Sequence, residues 1–143
     1  MNRIMKRKTI LIIVAISLLP FVTGLADLRA SLSGKKVGLD PGHGAGINQG
    51  VYIDEGDWVL DAGLRARSHL QDDSASVVMT RTNGSNPSLA TRYQILNSNN
   101  CSVSVSIHSN AAGSTAQGVE AYYCSLNPYS SNSKTLATKL LNR

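Results

Sequence analysis

The sequence predicts an α/β fold, a three-layer sandwich with a mostly parallel central sheet. Three observations point there. Short strand-like runs alternate with helix-period segments in the order strand, helix, strand, helix, strand. The breaks between them are marked by Gly, Asn, Ser and Pro. The 143 residues, 42% apolar and 16% charged, suit one domain with a real core.

Residues 35–40 (KKVGLD) read as a buried strand that runs into the tight turn Pro41-Gly42-His43-Gly44. Residues 45–53 are Gly-rich and carry Asn48 and Gln49, which marks a loop. Across residues 58–70, Val59, Ala62, Ala66 and Leu70 recur at helical spacing, with Arg65, Arg67 and Gln71 on the other side. Asp54, Glu55 and Asp57 precede this helix, where its positive dipole end favours acids.

Residues 76–80 (SVVMT) form a second predicted strand and residues 83–87 a loop. Ser88 opens a second helix over residues 88–97, with Leu89, Tyr93 and Leu96 on one face. Residues 103–107 (VSVSI) alternate as a strand that ends at His108-Ser109-Asn110. A further strand is expected over residues 119–123, and a third helix over residues 134–141 with Leu136, Leu140 and Leu141 apolar.

The formal net charge of +5 suggests an acidic partner until the charges are located. Four of the 14 basic residues, Arg3, Lys6, Arg7 and Lys8, lie in the first eight positions, and no acid precedes Asp27. Beyond residue 26, ten basic side chains face nine acidic ones, which leaves no electrostatic footprint for a nucleic-acid partner. The basic start, the apolar run from Ile10 to Leu19 and the small-residue stretch Thr23-Gly24-Leu25-Ala26 have the layout of a secretory signal. Residues 1–26 are therefore expected to be a signal peptide, or an N-terminal anchor that is the chain's one contact with a membrane. The working domain, residues 27–143, is expected outside the cytoplasm: periplasmic, in the cell wall or secreted. Such a compartment permits a disulfide. Cys101 and Cys124 can bridge if the strands beside them run antiparallel as neighbours; two separate thiols are the alternative.

In open α/β sheets, functional groups gather beyond the carboxyl ends of the strands. His43 follows the first strand and His108 the third, so the two imidazoles are expected on one rim. Two imidazoles and a carboxylate hold zinc and leave a fourth position for water or substrate. Glu55 fits as the carboxylate, with Asp54 and Asp57 as shorter-reaching rivals. Asp40 is a candidate to orient this site from behind, or else to serve the turn beside Pro41.

The segments VGLDPGHG (residues 37–44), EGD (55–57), VMTR (78–81), SIHSNA (106–111) and GVEAYY (118–123) occur in this order. Together they resemble the zinc-dependent N-acetylmuramoyl-L-alanine amidases of the type 3 family, from about Lys35 to the last residue. The resemblance implies a zinc hydrolase that cuts the amide between N-acetylmuramic acid and L-alanine of peptidoglycan, with His43, Glu55 and His108 in the positions of the zinc ligands. Zinc so held polarises the substrate carbonyl and activates water. Peptidoglycan is then the partner.

Family members carry a further glutamate as general base well downstream of the GVEAYY segment, and this chain ends at Arg143 without a counterpart. A helix that runs to the last residue has neither a C-cap nor a stop signal. The domain is accordingly expected to be incomplete at its C-terminus, binding zinc but hydrolysing poorly. Glu120 is the candidate stand-in for the catalytic base, with a structural or substrate-contact role as the alternative. His69 is expected to face solvent. Arg81 and Arg92 are candidate contacts for substrate carboxylates, Arg92 equally a salt-bridge partner. Trp58 is either a core anchor or a sugar-stacking group.

Two other functions compete with the amidase. One is a non-catalytic peptidoglycan-binding zinc module that lacks the base. The other is a secreted zinc peptidase or deacetylase, although the absence of HExxH removes the common helical zincin arrangement.

Overall fold

The computed structural model describes residues 31–47, 54–109, 118–126 and 128–142. The predicted export segment, residues 1–26, and most of the loop expected over residues 45–53 lie outside the described residues. The chain divides into two compact units, and the described residues up to Ser109 belong to one of them.

That unit holds β1 (Lys36–Pro41), α1 (Glu55–Asp72), β2 (Ser76–Met79), α2 (Leu89–Ser98) and β3 (Val103–Ile107). The sheet is parallel throughout, in the order β2-β1-β3, with Leu39 opposite Met79 and Pro41 opposite Ile107. The connection from β1 to β2 steps one way and the one from β2 to β3 steps back past β1. Right-handed crossovers running in opposite directions put their helices on opposite faces of the sheet. Side chains on β1 agree with this. Val37 and Leu39 face α1, where they form a core with Ala75 against Ala66 and Leu70. Asp40, one residue on and therefore on the other face, pairs with Arg92 of α2. This is the helix–sheet–helix layering that the sequence predicts.

The central strand is buried on both faces, as parallel sheets covered by helices require. Val59 of α1 is fully buried; burial of such a side chain stabilises by about 1.5–3 kcal/mol. Pro41, which has no N–H, closes β1 at a position where the pairing with β2 has already ended at Leu39.

Several expectations need correction. Helix α1 begins at Glu55, three residues before the first apolar position, because Asp54 caps it by accepting from the Gly56 N–H at 2.9 Å. In α2, Leu89 and Tyr93 are 70% and 62% exposed, and the side chain turned inward is Arg92. The helix is rotated by about one residue from the expected face, and the inward Arg92 supplies donors to acceptors of β1 and its turn that an apolar side chain would leave unpaired.

In the second unit, residues 118–126 form no strand; the alternation over residues 119–123 is local, and a strand needs a partner's ladder of hydrogen bonds. Helix α3 (Ser130–Leu141) starts four residues earlier than expected and is closed by Asn142, whose N–H donates to Thr138 O, so it does stop before the last residue. Cys101 and Cys124 are free thiols, the first half-buried and the second exposed. Among the described residues, no helix is long and apolar enough to cross a membrane.

Candidate metal centre

The parallel pairing of β1 with β3 builds the site. Pro41 and Ile107 are opposite each other, and Gly42 extends the ladder by donating its N–H to Ile107 O at 2.9 Å. One residue beyond each of these stand His43 and His108. Their rings meet edge to face with centroids 4.8 Å apart. Gly42 permits this approach, because a Cβ there would stand 2.3 Å from Cε1 of His108. His43 has φ 54, in the left-handed region that costs a non-glycine residue about 1–3 kcal/mol. Its carbonyl is held by Nη2 of Arg92 at 2.7 Å.

Helix α1 brings the carboxylate. Its first turn docks against the His43 turn so closely that a Cβ on Gly56 would lie 1.9 Å from Gly44 O. Asp54 ties the two together from outside, accepting from Gly46 N at 2.8 Å as well as from Gly56 N. Both oxygens of Asp54 are thereby engaged by backbone, and Asp57 is exposed. Glu55 points inward and is 7% exposed; its Oε1 accepts from the Ser109 N–H at 2.9 Å.

Oε1 of Glu55 lies 3.4 Å from Nε2 of His43 and 3.3 Å from Nδ1 of His108, and those two nitrogens are 3.2 Å apart. A tetrahedral zinc centre with ligand distances of about 2.0–2.1 Å has edges of roughly 3.3–3.4 Å between donor atoms. The three donors therefore outline one face of such a tetrahedron, and the donor set of two imidazoles and a carboxylate suits the ion. The side chains are 26%, 9% and 50% exposed for His43, Glu55 and His108, so the carboxylate forms the floor and the imidazoles the open rim. A cleft beside the rim is lined by Asn86, Ser88, Leu89 and Tyr93 together with both histidines.

Behind the ligands lies a buried polar layer around Asp40 and Arg92, which form the ion pair that is one of the two readings of Arg92. Asp40 accepts from Oγ1 of Thr80 at 2.5 Å, Nη1 of Arg92 at 2.7 Å and Oγ of Ser106 at 2.8 Å. Burial by itself raises this carboxyl's pKa, but those hydrogen bonds and the Arg92 charge together hold it below the ordinary value. Arg92 spends its remaining donors on Pro41 O, Pro87 O, His43 O and Oδ1 of Asn86. Arg92 and Arg81 are 4% and 3% exposed, so neither is a surface contact for substrate carboxylates. A signal for Arg92 was present: it lies four residues before Leu96, on the sheet-facing stripe of α2.

Among the remaining candidates, His69 is exposed and Trp58 half-buried. Glu120 belongs to the second unit, where its Oε2 accepts from the Tyr122 hydroxyl at 2.6 Å and both side chains are exposed.

Comparison with known proteins agrees with this architecture. Residues 37–143 match the family model described as N-acetylmuramoyl-L-alanine amidase. Over 126 residues the chain is 32% identical to an uncharacterized cell wall amidase of Bacillus anthracis, covering 78% of this chain and 24% of that protein. Over 109 residues it is 32% identical to the germination-specific N-acetylmuramoyl-L-alanine amidase of Bacillus subtilis strain 168, covering 64% and 46%. Among solved structures, an N-acetylmuramoyl-L-alanine amidase from Clostridium difficile 630 matches with a TM-score of 0.65 at 31% identity, over 75% of this chain and 60% of that one. The chain thus spans less than half the length of these two curated relatives.

Proposed function

The chain belongs to the N-acetylmuramoyl-L-alanine amidase family, and from that premise we propose that it is an exported zinc hydrolase of the cell wall. Its substrate in this reading is peptidoglycan, cut at the amide between N-acetylmuramic acid and L-alanine. The observation that carries the proposal is the convergence of Nε2 of His43, Oε1 of Glu55 and Nδ1 of His108 at tetrahedral-edge spacing beyond the carboxyl ends of β1 and β3.

Zinc held there supplies a Lewis acid for the amide carbonyl and activates the attacking water. The chain's own residues do the rest. Glu55 brings the negative charge, with its carboxylate fixed by the Ser109 N–H. The imidazoles leave the solvent side open, and the adjoining cleft gives the substrate room beside them. Export through residues 1–26 would bring the domain to its substrate.

Digestion of purified peptidoglycan by the zinc-loaded chain should release intact stem peptides with a free L-alanine amino terminus, identified by mass spectrometry. Fragments cut within the peptide, or released acetate, would instead indicate a peptidase or deacetylase. Zinc retention and wall binding without any released peptide would leave a binding module.

Glu120 of the GVEAYY segment is the proposed stand-in for the proton acceptor, with a structural or substrate-contact role as the alternative. Its replacement by Gln is expected to leave zinc content intact while turnover drops by about 10²- to 10⁴-fold, the usual contribution of general acid–base assistance. A change of only a few fold in peptide release would move Glu120 to a contact role.

A further inference from the structure

We propose that Arg81 is a positioning residue for the metal site, a buried strap that joins the backbone segments carrying His43, Glu55 and His108. The proposal rests on the reading of those three side chains as zinc ligands. Arg81 stands just past the end of β2, beneath the turn that follows β1. Its Nε donates to Pro41 O at 2.9 Å, and its Nη2 donates both to Gly42 O at 2.7 Å and to Gly56 O at 2.6 Å. Nη1 completes the set on Asn83 O at 2.9 Å. Gly42 immediately precedes His43, and Gly56 immediately follows Glu55. The Gly42 N–H in turn holds Ile107 O, the residue before His108. One side chain and one relay bond therefore set the spacing of all three ligand-bearing segments.

The chemistry requires arginine. Among the described residues no carboxylate lies within ion-pair distance of Arg81, so its charge is balanced by carbonyl dipoles. Burial pushes the guanidinium pKa down and the charge of Arg92 adds to this, while Asp57, Asp40 and Asp54 oppose it. An apolar side chain of the same volume would avoid that desolvation cost. What it cannot supply is a rigid planar fork that reaches carbonyls on three separate segments at once. A lysine ammonium keeps the charge but concentrates its donors at one point.

The test uses the full chain as wild type, Arg81→Lys and Leu70→Ala. The last is a control that thins the α1 core contact away from the ligand segments. Zinc affinity is measured by titration calorimetry, and ligand geometry by the visible absorption of the Co2+-substituted protein. Arg81→Lys should weaken zinc binding by about 10- to 100-fold, as loss of an outer support of metal ligands does, and should alter the Co2+ spectrum. Leu70→Ala should lower the melting temperature with affinity and spectrum unchanged. If Arg81→Lys folds only when zinc is added, its affinity is read from the zinc dependence of folding and judged by the same criterion. Wild-type affinity and spectrum in Arg81→Lys would overturn the strap. So would a variant that folds neither with nor without zinc, since Arg81 would then serve the fold as a whole. A wild-type chain that takes up no zinc fails the ligand assignment first.

Discussion

Replacing His43 or His108 by Ala, or Glu55 by Gln, is expected to abolish stoichiometric zinc and, with it, release of stem peptide. Each His→Ala change removes one vertex of a three-donor set whose edges are 3.2–3.4 Å, and Glu55→Gln leaves a neutral amide oxygen where the set needs its one anionic donor. Two remaining donors and solvent do not hold the ion against dialysis. The Glu55 change is the most informative because it leaves shape nearly intact and removes only the charge and half of the acceptor capacity. The effect is also visible as stability. Free zinc at 100 times its dissociation constant stabilises the wild-type fold by about 2.7 kcal/mol through binding linkage, and the three variants should show no zinc-dependent rise in melting temperature. Asp54→Ala separates ligand from scaffold. It should keep stoichiometric zinc while losing about 1 kcal/mol with the helix cap. Stoichiometric metal in all three ligand variants would remove the proposed site, and loss of zinc in Asp54→Ala alone would reassign the carboxylate.

The parts of this arrangement that could be read from sequence are those set by periodicity and by position relative to strand ends. Strand β3 falls on the expected residues, and Ser88 caps α2 through the Thr91 N–H. Two histidines placed just past parallel strands fall together because β1 and β3 pair in register, with Pro41 opposite Ile107. What escaped depends on long-range partners. The first turn of α1, Glu55-Gly56-Asp57, carries no apolar side chain, so the hydrophobic period could not see it; its cap at Asp54 was the missed cue. Residues 119–123 alternate like a strand, yet alternation records side-chain polarity and not the presence of a neighbour. Arg92 is the salt-bridge partner that the sequence offers as one of its two readings, paired with Asp40, whereas the burial of both arginines is not legible from residue type, since charged side chains are seldom buried without partners. Their acceptors are mostly backbone carbonyls, those of residues 41–43 among them, which no side-chain pattern displays.

Those buried arginines lead to the second large effect. Asp40→Ala is expected to lower stability by about 3–5 kcal/mol, because it leaves the Arg92 guanidinium, 5% exposed, without its only carboxylate partner among the described residues. That is a large part of the 5–15 kcal/mol typical of a domain. Pairing it with Arg92→Met should recover part of the loss, since an apolar side chain asks for no counter-charge, although the His43 carbonyl would then lose its donor. The same pair makes stability depend on pH with a definite sign. The Asp40 carboxyl is held below its ordinary value in the folded state, so the unfolded chain binds its proton more readily. The contribution is therefore fully present above the unfolded value of about 4 and is lost as pH falls through the depressed folded value. Urea unfolding from pH 7 down to about pH 2 should show a steeper loss in wild type than in Asp40→Asn below pH about 4, the range in which the unfolded carboxyl takes up its proton first. Parallel curves for the two proteins would mean that Asp40 shares no such linkage, and that the buried pair holds the His43 turn by geometry alone.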